Sequence, residues 1–180
     1  MTEPLSKRPA ASDRPVQSVQ NLDVGRYMGL WYEIFRLPLK WEEEGARDIT
    51  AHYTLRPDGK IVVDNRCLLP DGRPKQALGL AKPVGGSTSR LKVSFLPKAI
   101  RWLPLGWGDY WVLKIDPDYL YSLVGDPARK YLWLLSRSPQ VPQGVADHYL
   151  NYALSLGYDL GPLIVPDQSG NRVTEEMLRS

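Results

Sequence analysis

Few side chains in this 180-residue chain are equipped for covalent or acid–base chemistry, and those few are scattered. Cys67 is the only cysteine, so there is one thiol and no intramolecular disulfide. A nucleophilic thiolate needs a neighbour that lowers its pKa, and no histidine or lysine is placed to do so; Cys67 reads as a small interior residue near a barrel mouth. His52 and His148 are the only histidines, and together with Cys67 they give no zinc-ligand spacing. No glycine-rich phosphate cradle and no Gly-x-Ser-x-Gly elbow occurs. The run Glu42-Glu43-Glu44 with Asp48 reads as a solvated loop face rather than a cation site. No catalytic or metal-binding residue and no cofactor is therefore assigned. Glu33 is different, because it shares a strand face with Trp31 and Phe35 and would point inward. A buried carboxylate must be paired or hydrogen-bonded. Its partner is either neighbouring tyrosines and water or the polar head of a ligand.

Two further features carry non-covalent chemistry. In Gly29-Leu30-Trp31-Tyr32-Glu33-Ile34 a tryptophan follows a turn glycine at the start of the first apolar run. In Tyr131-Leu132-Trp133-Leu134-Leu135-Ser136-Arg137 an arginine closes the last apolar run before a helix. A guanidinium lying on an indole face is worth about 0.5–2 kcal/mol, depending on desolvation. The segment from Leu96 to Trp107 is a proline-punctuated loop that still carries Ile100, Trp102, Leu103, Leu105 and Trp107. Lys98 and Arg101 interleave with the tryptophans. Such a loop is either a lid folded over a mouth or a surface that meets a partner or an anionic membrane.

The elements that must position these residues are mostly short strands. Pro57-Asp58-Gly59 and Pro70-Asp71-Gly72 separate β-rich runs with a proline-preset φ and a glycine able to take positive φ. Gly85-Gly86-Ser87, Asp116-Pro117-Asp118 and Gly125-Asp126-Pro127 continue the punctuation, which argues for an antiparallel barrel or sandwich. Period-two reading puts Trp31, Glu33 and Phe35 on one face. It likewise groups Ala51 with Tyr53, Val63 with Asn65 and Cys67, Val93 with Phe95, and Trp133 with Leu135 and Arg137. Ala51, Ala77, Gly79 and Ala81 leave room among the larger side chains. Asp23 can cap a short helical turn through Tyr27. One longer helix is expected from Pro142 to about Leu156, its stripe of Val145, Tyr149, Tyr152 and Leu156 packing on a barrel wall.

Composition narrows the partners. The 23 basic residues are interspersed with 20 acidic ones, for a net charge of +3, which is no nucleic-acid footprint but is compatible with weak attraction to anionic membranes. Six tryptophans point to an aromatic core, pocket or interface. No run approaches the ~18 apolar residues of a membrane-spanning helix.

The Gly29–Ile34 and Tyr131–Arg137 segments, with the element order between Val19 and Gln168, resemble the lipocalin family, especially the bacterial lipocalins and the apolipoprotein D group. The resemblance implies an all-β, eight-stranded antiparallel up-and-down barrel with one C-terminal helix on its wall. Gly29, Trp31 and Arg137 would seal its closed end. It implies a non-enzymatic protein that stores or carries fatty acids or lysophospholipids in support of membrane lipid upkeep. Glu33, Phe35, Tyr53, Val63, Asn65, Phe95, Trp133 and Leu135 are the expected ligand contacts, joined by Tyr110 and Val112, which match inward positions of the family. Lys98, Arg101, Trp102 and Trp107 belong to the lid or membrane loop at the open end. The expected boundaries are a disordered tail at 1–20, a barrel at 21–168 and a flexible tail at 169–180. A protein-binding or self-associating module, and an isomerase using Cys67, are the alternatives. Monomer and homodimer stay open. So does compartment: the resemblance suggests the cell envelope, yet the N-terminal stretch has no apolar signal core and no acylatable cysteine, which leaves the cytoplasm open.

Overall fold

The computed structural model describes residues 14–40 and 42–180. Eight strands close into an antiparallel barrel in sequence order. They are β1 (Gly29–Arg36), β2 (Arg47–Leu55), β3 (Ile61–Leu68), β4 (Pro74–Pro83), β5 (Arg90–Ser94), β6 (Gly108–Ile115), β7 (Tyr121–Gly125) and β8 (Leu132–Ser136), with β8 pairing back onto β1. The turn chemistry acts as expected. Gly59 and Gly72 take φ of +79° and +85°, and Asp58 and Asp71 accept hydrogen bonds from the amides of Lys60 and Arg73. Helix α1 (Val24–Tyr27) leads into β1 and is capped by Asp23, whose carboxylate accepts from the Arg26 amide.

Two apolar clusters share the barrel wall. The inner one contains Trp31, Tyr53, Ile61, Val63, Ala81, Leu91, Val112, Val124 and Leu135. The outer one gathers Phe35, Leu113, Leu123, Leu132 and Leu134 beneath helix α2 (Gln143–Ser155). The expected stripe of Val145, Tyr149, Tyr152 and Leu156 packs there. Pro142 stands at the N-cap, one position before the helix.

Register irregularities explain where strict alternation fails. Pairing of β1 with β8 shifts between Glu33 and Phe35, so Glu33 opposes Leu135 while Phe35 opposes Leu134 and Arg36 opposes Trp133. A bulge of this kind reverses the parity of everything beyond it. Phe35, expected in the lumen, is therefore buried in the outer cluster, and Arg36 is turned inward instead. A second shift in β6 between Val112 and Lys114 keeps Val112 inside and sends Lys114 outward, where its ammonium lies 4.6 Å from the Tyr152 ring centroid.

The chain ends also differ from the sequence reading. Residues 1–13 of the expected tail lie outside the described residues, but residues 14–20 are packed on the barrel. Val16 is buried in the outer cluster, and the Val19 amide donates to the Val112 carbonyl. Where a flexible tail at 169–180 is expected, Val173 is buried and helix α3 (Glu175–Arg179) follows, capped by Thr174 and tied by an ion pair between Glu175 and Arg66. Asp48, expected on a solvated face, is fully buried at φ +51°. Its carboxylate accepts from the Ser169 amide at 2.7 Å and the Ser169 hydroxyl at 2.8 Å, so it anchors this C-terminal segment.

Candidate functional site

The barrel encloses a cavity of about 810 Å3 that runs to the rim formed by the β1–β2, β5–β6 and β7–β8 connections. That volume lies within the range of small-molecule sites, roughly 300–1,000 Å3. Glu33, Tyr53, Val63, Asn65, Phe95, Tyr110, Trp133 and Leu135 line it, as the sequence places them. Ala51 and Ala77 supply the space, whereas Ala81 lies lower, in the packed inner cluster. Phe95 leans over Gly79, where an added Cβ would stand 2.8 Å from its ring. Two expected contacts are absent from the cavity wall. Phe35 is outside for the reason given above. Val112 faces inward but is wholly buried in the inner cluster toward the closed end, below the open space.

The wall is mainly apolar, with polar groups concentrated at two heights. Near the rim are Glu42, Glu43, Lys75, Asp109 and Lys130. Between rim and floor the β1 bulge creates an ion cluster that parity reading missed. Arg36 Nε lies 3.1 Å from a Glu33 oxygen and 2.9 Å from a Glu42 oxygen. One guanidinium thus serves two carboxylates. Burial, and then the charge of Glu42, hold the Glu33 carboxyl well above the ordinary carboxylate range, with Arg36 offsetting only part of this. Burial raises Glu42 as well.

The Cys67 thiol reaches the same region and is pushed up to about 11, first by burial and then by Glu42. At neutral pH it is a protonated thiol, the opposite of what nucleophilic catalysis requires. His52 and His148 are exposed on the outer surface, away from the cavity lining. Among the described residues no group of three or more His, Cys, Asp and Glu is placed to hold a metal ion.

At the mouth the aromatic loop divides its residues. Leu96, Gly106 and Trp107 border the cavity, and Trp107 is held by its indole N–H donating to the Arg101 carbonyl at 2.9 Å and by the Lys82 ammonium 4.2 Å from its ring. Arg101 in turn donates to the Leu96 carbonyl. Trp102 and Leu105 turn the other way and are 78% and 80% exposed, with Ile100 and Lys98 beside them in a short 3-10 turn. One loop therefore supplies both part of a lid and an apolar outer surface.

The closed end is built on Trp31. The Arg137 guanidinium carbon lies 3.7 Å from its ring centroid, and the same guanidinium donates to the carbonyls of Leu30, Arg26, Tyr27 and Tyr119. The indole N–H donates to the Tyr27 carbonyl at 2.9 Å. Gly29 takes φ +94°, a conformation other residues rarely adopt, and lies against the Arg137 guanidinium.

Comparison with known proteins matches this geometry. A family model described as a lipocalin-like domain covers residues 22–168. The chain belongs to the lipocalin-like family. It is 38% identical over 159 residues to temperature-induced lipocalin-1 of Arabidopsis thaliana, covering 87% of this chain and 84% of that one. It is also 38% identical over 160 residues to outer membrane lipoprotein Blc of Escherichia coli K12, covering 88% and 86%. Mouse apolipoprotein D is 32% identical over 163 residues, covering 86% and 80%. In fold the lipocalin is similar to insecticyanin from the tobacco hornworm, with a TM-score of 0.65 at 20% identity over 93% of this chain and 89% of that one. Apocrustacyanin C2 also reaches a TM-score of 0.65, at 13% identity over 83% and 82% of the two chains. Family and barrel together make this a protein that binds small hydrophobic molecules in a calyx.

Proposed function

We propose that this lipocalin stores or carries an elongated amphiphile of the fatty-acid or lysophospholipid class, loading and releasing it at a membrane surface. The observation that carries the reading is the 810 Å3 apolar calyx with Lys75 and Lys130 at its rim. A single-chain amphiphile can place its hydrocarbon between Ala51, Val63, Leu135 and Trp133 while a charged head meets Lys75 and Lys130. The exposed Trp102 and Leu105, with Lys98 nearby, suit the headgroup region of an anionic bilayer, where an aromatic ring and a cation are both favoured. The outer surface of the loop and the mouth-lining half then belong to one path between membrane and calyx.

Native mass spectrometry of the purified protein, followed by organic extraction, tests the reading. Single-chain amphiphiles bound at one per barrel support it. A protein that stays ligand-free in the presence of oleate and lysophosphatidylethanolamine, or that retains only polar metabolites, refutes it. Capture of a protein partner that competes with vesicles for the Trp102 surface would favour the interaction-module reading instead.

A further inference from the structure

The floor of the calyx is a chain of hydroxyls whose proton count does not balance. Tyr27 OH lies 2.9 Å from Ser122 Oγ and 2.8 Å from Tyr110 OH, and the Tyr110 hydroxyl donates to Tyr53 OH at 3.0 Å. Four hydroxyls bring four protons to three links, and each hydroxyl donates one. Because Tyr110 spends its proton on Tyr53, Tyr27 must donate to Tyr110 and Ser122 must donate to Tyr27. The direction of the whole chain is thereby fixed, from β7 through α1 and β6 to β2. The proton left over is that of Tyr53, for which the described residues offer no acceptor.

Position gives that proton a purpose. Tyr53 and Tyr110 reach toward each other from β2 and β6 and meet edge to face, with ring centroids 6.0 Å apart. Both line the large cavity above and a small apolar void of about 10 Å3 below, beside Ile61, Ala81 and Leu91, so their bridge is the partition between the two. Tyr53 is only 6% exposed. A buried donor without an acceptor is costly. Successive O–H dipoles also polarise one another and strengthen the donor at the end of the chain. Burial holds the phenols protonated through neutral pH, with Tyr27 pushed up to about 12. Arg137, whose charge acts on Tyr53, is already committed to Trp31 and four backbone carbonyls. An ionised carboxylate at this depth would face one donor and no free cation, which disfavours it.

We propose that the Tyr53 hydroxyl is a recognition site at the base of the calyx for a neutral acceptor oxygen, a ketone, aldehyde or ester carbonyl, at the buried end of the ligand. This rests on the calyx holding an apolar ligand, and it narrows the single-chain amphiphiles of the proposed function to those that carry a neutral carbonyl oxygen at the end remote from the head. Tyr110, Tyr27 and Ser122 are positioning residues that aim and polarise the donor.

The isomers 2-tridecanone and 7-tridecanone test this, because they match in size and polarity and differ in whether the carbonyl can reach the floor. In displacement of 1-anilinonaphthalene-8-sulfonate from the full chain, 2-tridecanone should bind about 3- to 10-fold more tightly. The infrared carbonyl stretch of bound 2-tridecanone should move to lower frequency than that of the 7-isomer. Tyr53→Phe alone frees the Tyr110 proton and should keep part of the preference, whereas Y53F combined with Y110F should abolish both preference and shift while both ketones still bind. Equal affinity and equal carbonyl frequency for the isomers in the wild-type protein would overturn the proposal, as would a preference that survives the double substitution. Displacement of the dye by neither isomer, nor by oleate, would overturn the calyx reading and this inference with it; displacement by oleate alone would overturn only the inference.

Discussion

The two ends of the barrel use similar residues to opposite ends. At the closed end Trp31 is completely buried, its N–H is satisfied, and Arg137 is shared between its face and four carbonyls. At the open end Trp102 is 78% exposed and Arg101 holds the loop from inside by a single bond to the Leu96 carbonyl. Trp107, on the same loop, sits between these extremes. A tryptophan and an arginine separated by a fixed spacing therefore say little by themselves; what they do depends on whether the surrounding backbone carbonyls are free to accept. The last carbonyls of the short helix α1 find no partner within the helix, and they accept instead from Arg137 and the Trp31 N–H. Four carbonyls thus hold the closed-end guanidinium, against one for the guanidinium of the open-end loop.

The largest effect is expected from breaking the closed end. Arg137→Ala should lower unfolding stability by about 1–3 kcal/mol, since a cation–π contact and several hydrogen bonds to carbonyls are lost together. Ligand affinity of the folded fraction should change little. A double-mutant cycle with Trp31→Phe, read by urea unfolding, should show coupling, and additivity would mean the contact carries no energy.

A smaller effect should appear between the ends, at the Glu33–Arg36–Glu42 cluster. Folding raises both carboxyl pKa values above their ordinary 4.5. The native state then binds more protons than the unfolded chain over the window between the two values, so stability should be greatest in mild acid and decline as pH rises through the folded-state pKa. Glu33→Gln keeps the shape and removes one titration, so it should flatten that decline and stabilise the protein at the alkaline side of the window. Urea midpoints from pH 4 upward check this; an unchanged slope in E33Q would place the titration elsewhere.

The smallest effect on stability belongs to the open end. Trp102→Ser should shift unfolding by no more than about 0.5 kcal/mol, as for an exposed surface position. It should nevertheless remove most association with vesicles containing phosphatidylglycerol, an association that added salt should also weaken through Lys98 and Arg101. Vesicle binding unaltered by the substitution would leave the comparison standing but move the membrane surface off this loop.

Much of the barrel is legible in the amino-acid sequence because its determinants are local. Pro-Asp-Gly turns, the capped turn at Asp23 and the stripe of α2 each depend on residues within a few positions or on a repeated spacing. The distant Trp31–Arg137 pair is legible instead through the family resemblance of the two segments that carry it. Phe35 sits just beyond a bulge, and an inserted residue leaves no mark in composition while reversing every side chain after it. The same bulge put Arg36 into the lumen, so the partner of Glu33 was hidden by the feature that misassigned Phe35. Val112 shows a different limit, since parity tells inside from outside but not height along the barrel axis. The chain ends differ from the expectation because a few anchors, Val16 and the Val19 amide at one and Ser169, Val173 and Glu175 at the other, hold polar segments that composition alone marks as tails. The floor escaped notice because Tyr27 comes from a helix and Ser122 from a strand far from it in sequence, and only closure of the barrel brings their hydroxyls together.

If an apolar ligand binds in the space above Tyr53 and Tyr110, filling that space must weaken its binding. Ala51 lines the cavity where it meets the inner cluster, opposite Trp31 on the neighbouring strand. In a titration of oleate against the dye-loaded protein, wild type should bind one oleate per barrel. Ala51→Trp should bind at least about tenfold more weakly, a loss of about 1.4 kcal/mol or more, while its unfolding midpoint shows it remains folded. Unchanged oleate affinity in a folded Ala51→Trp variant would contradict the account and place the ligand outside the calyx.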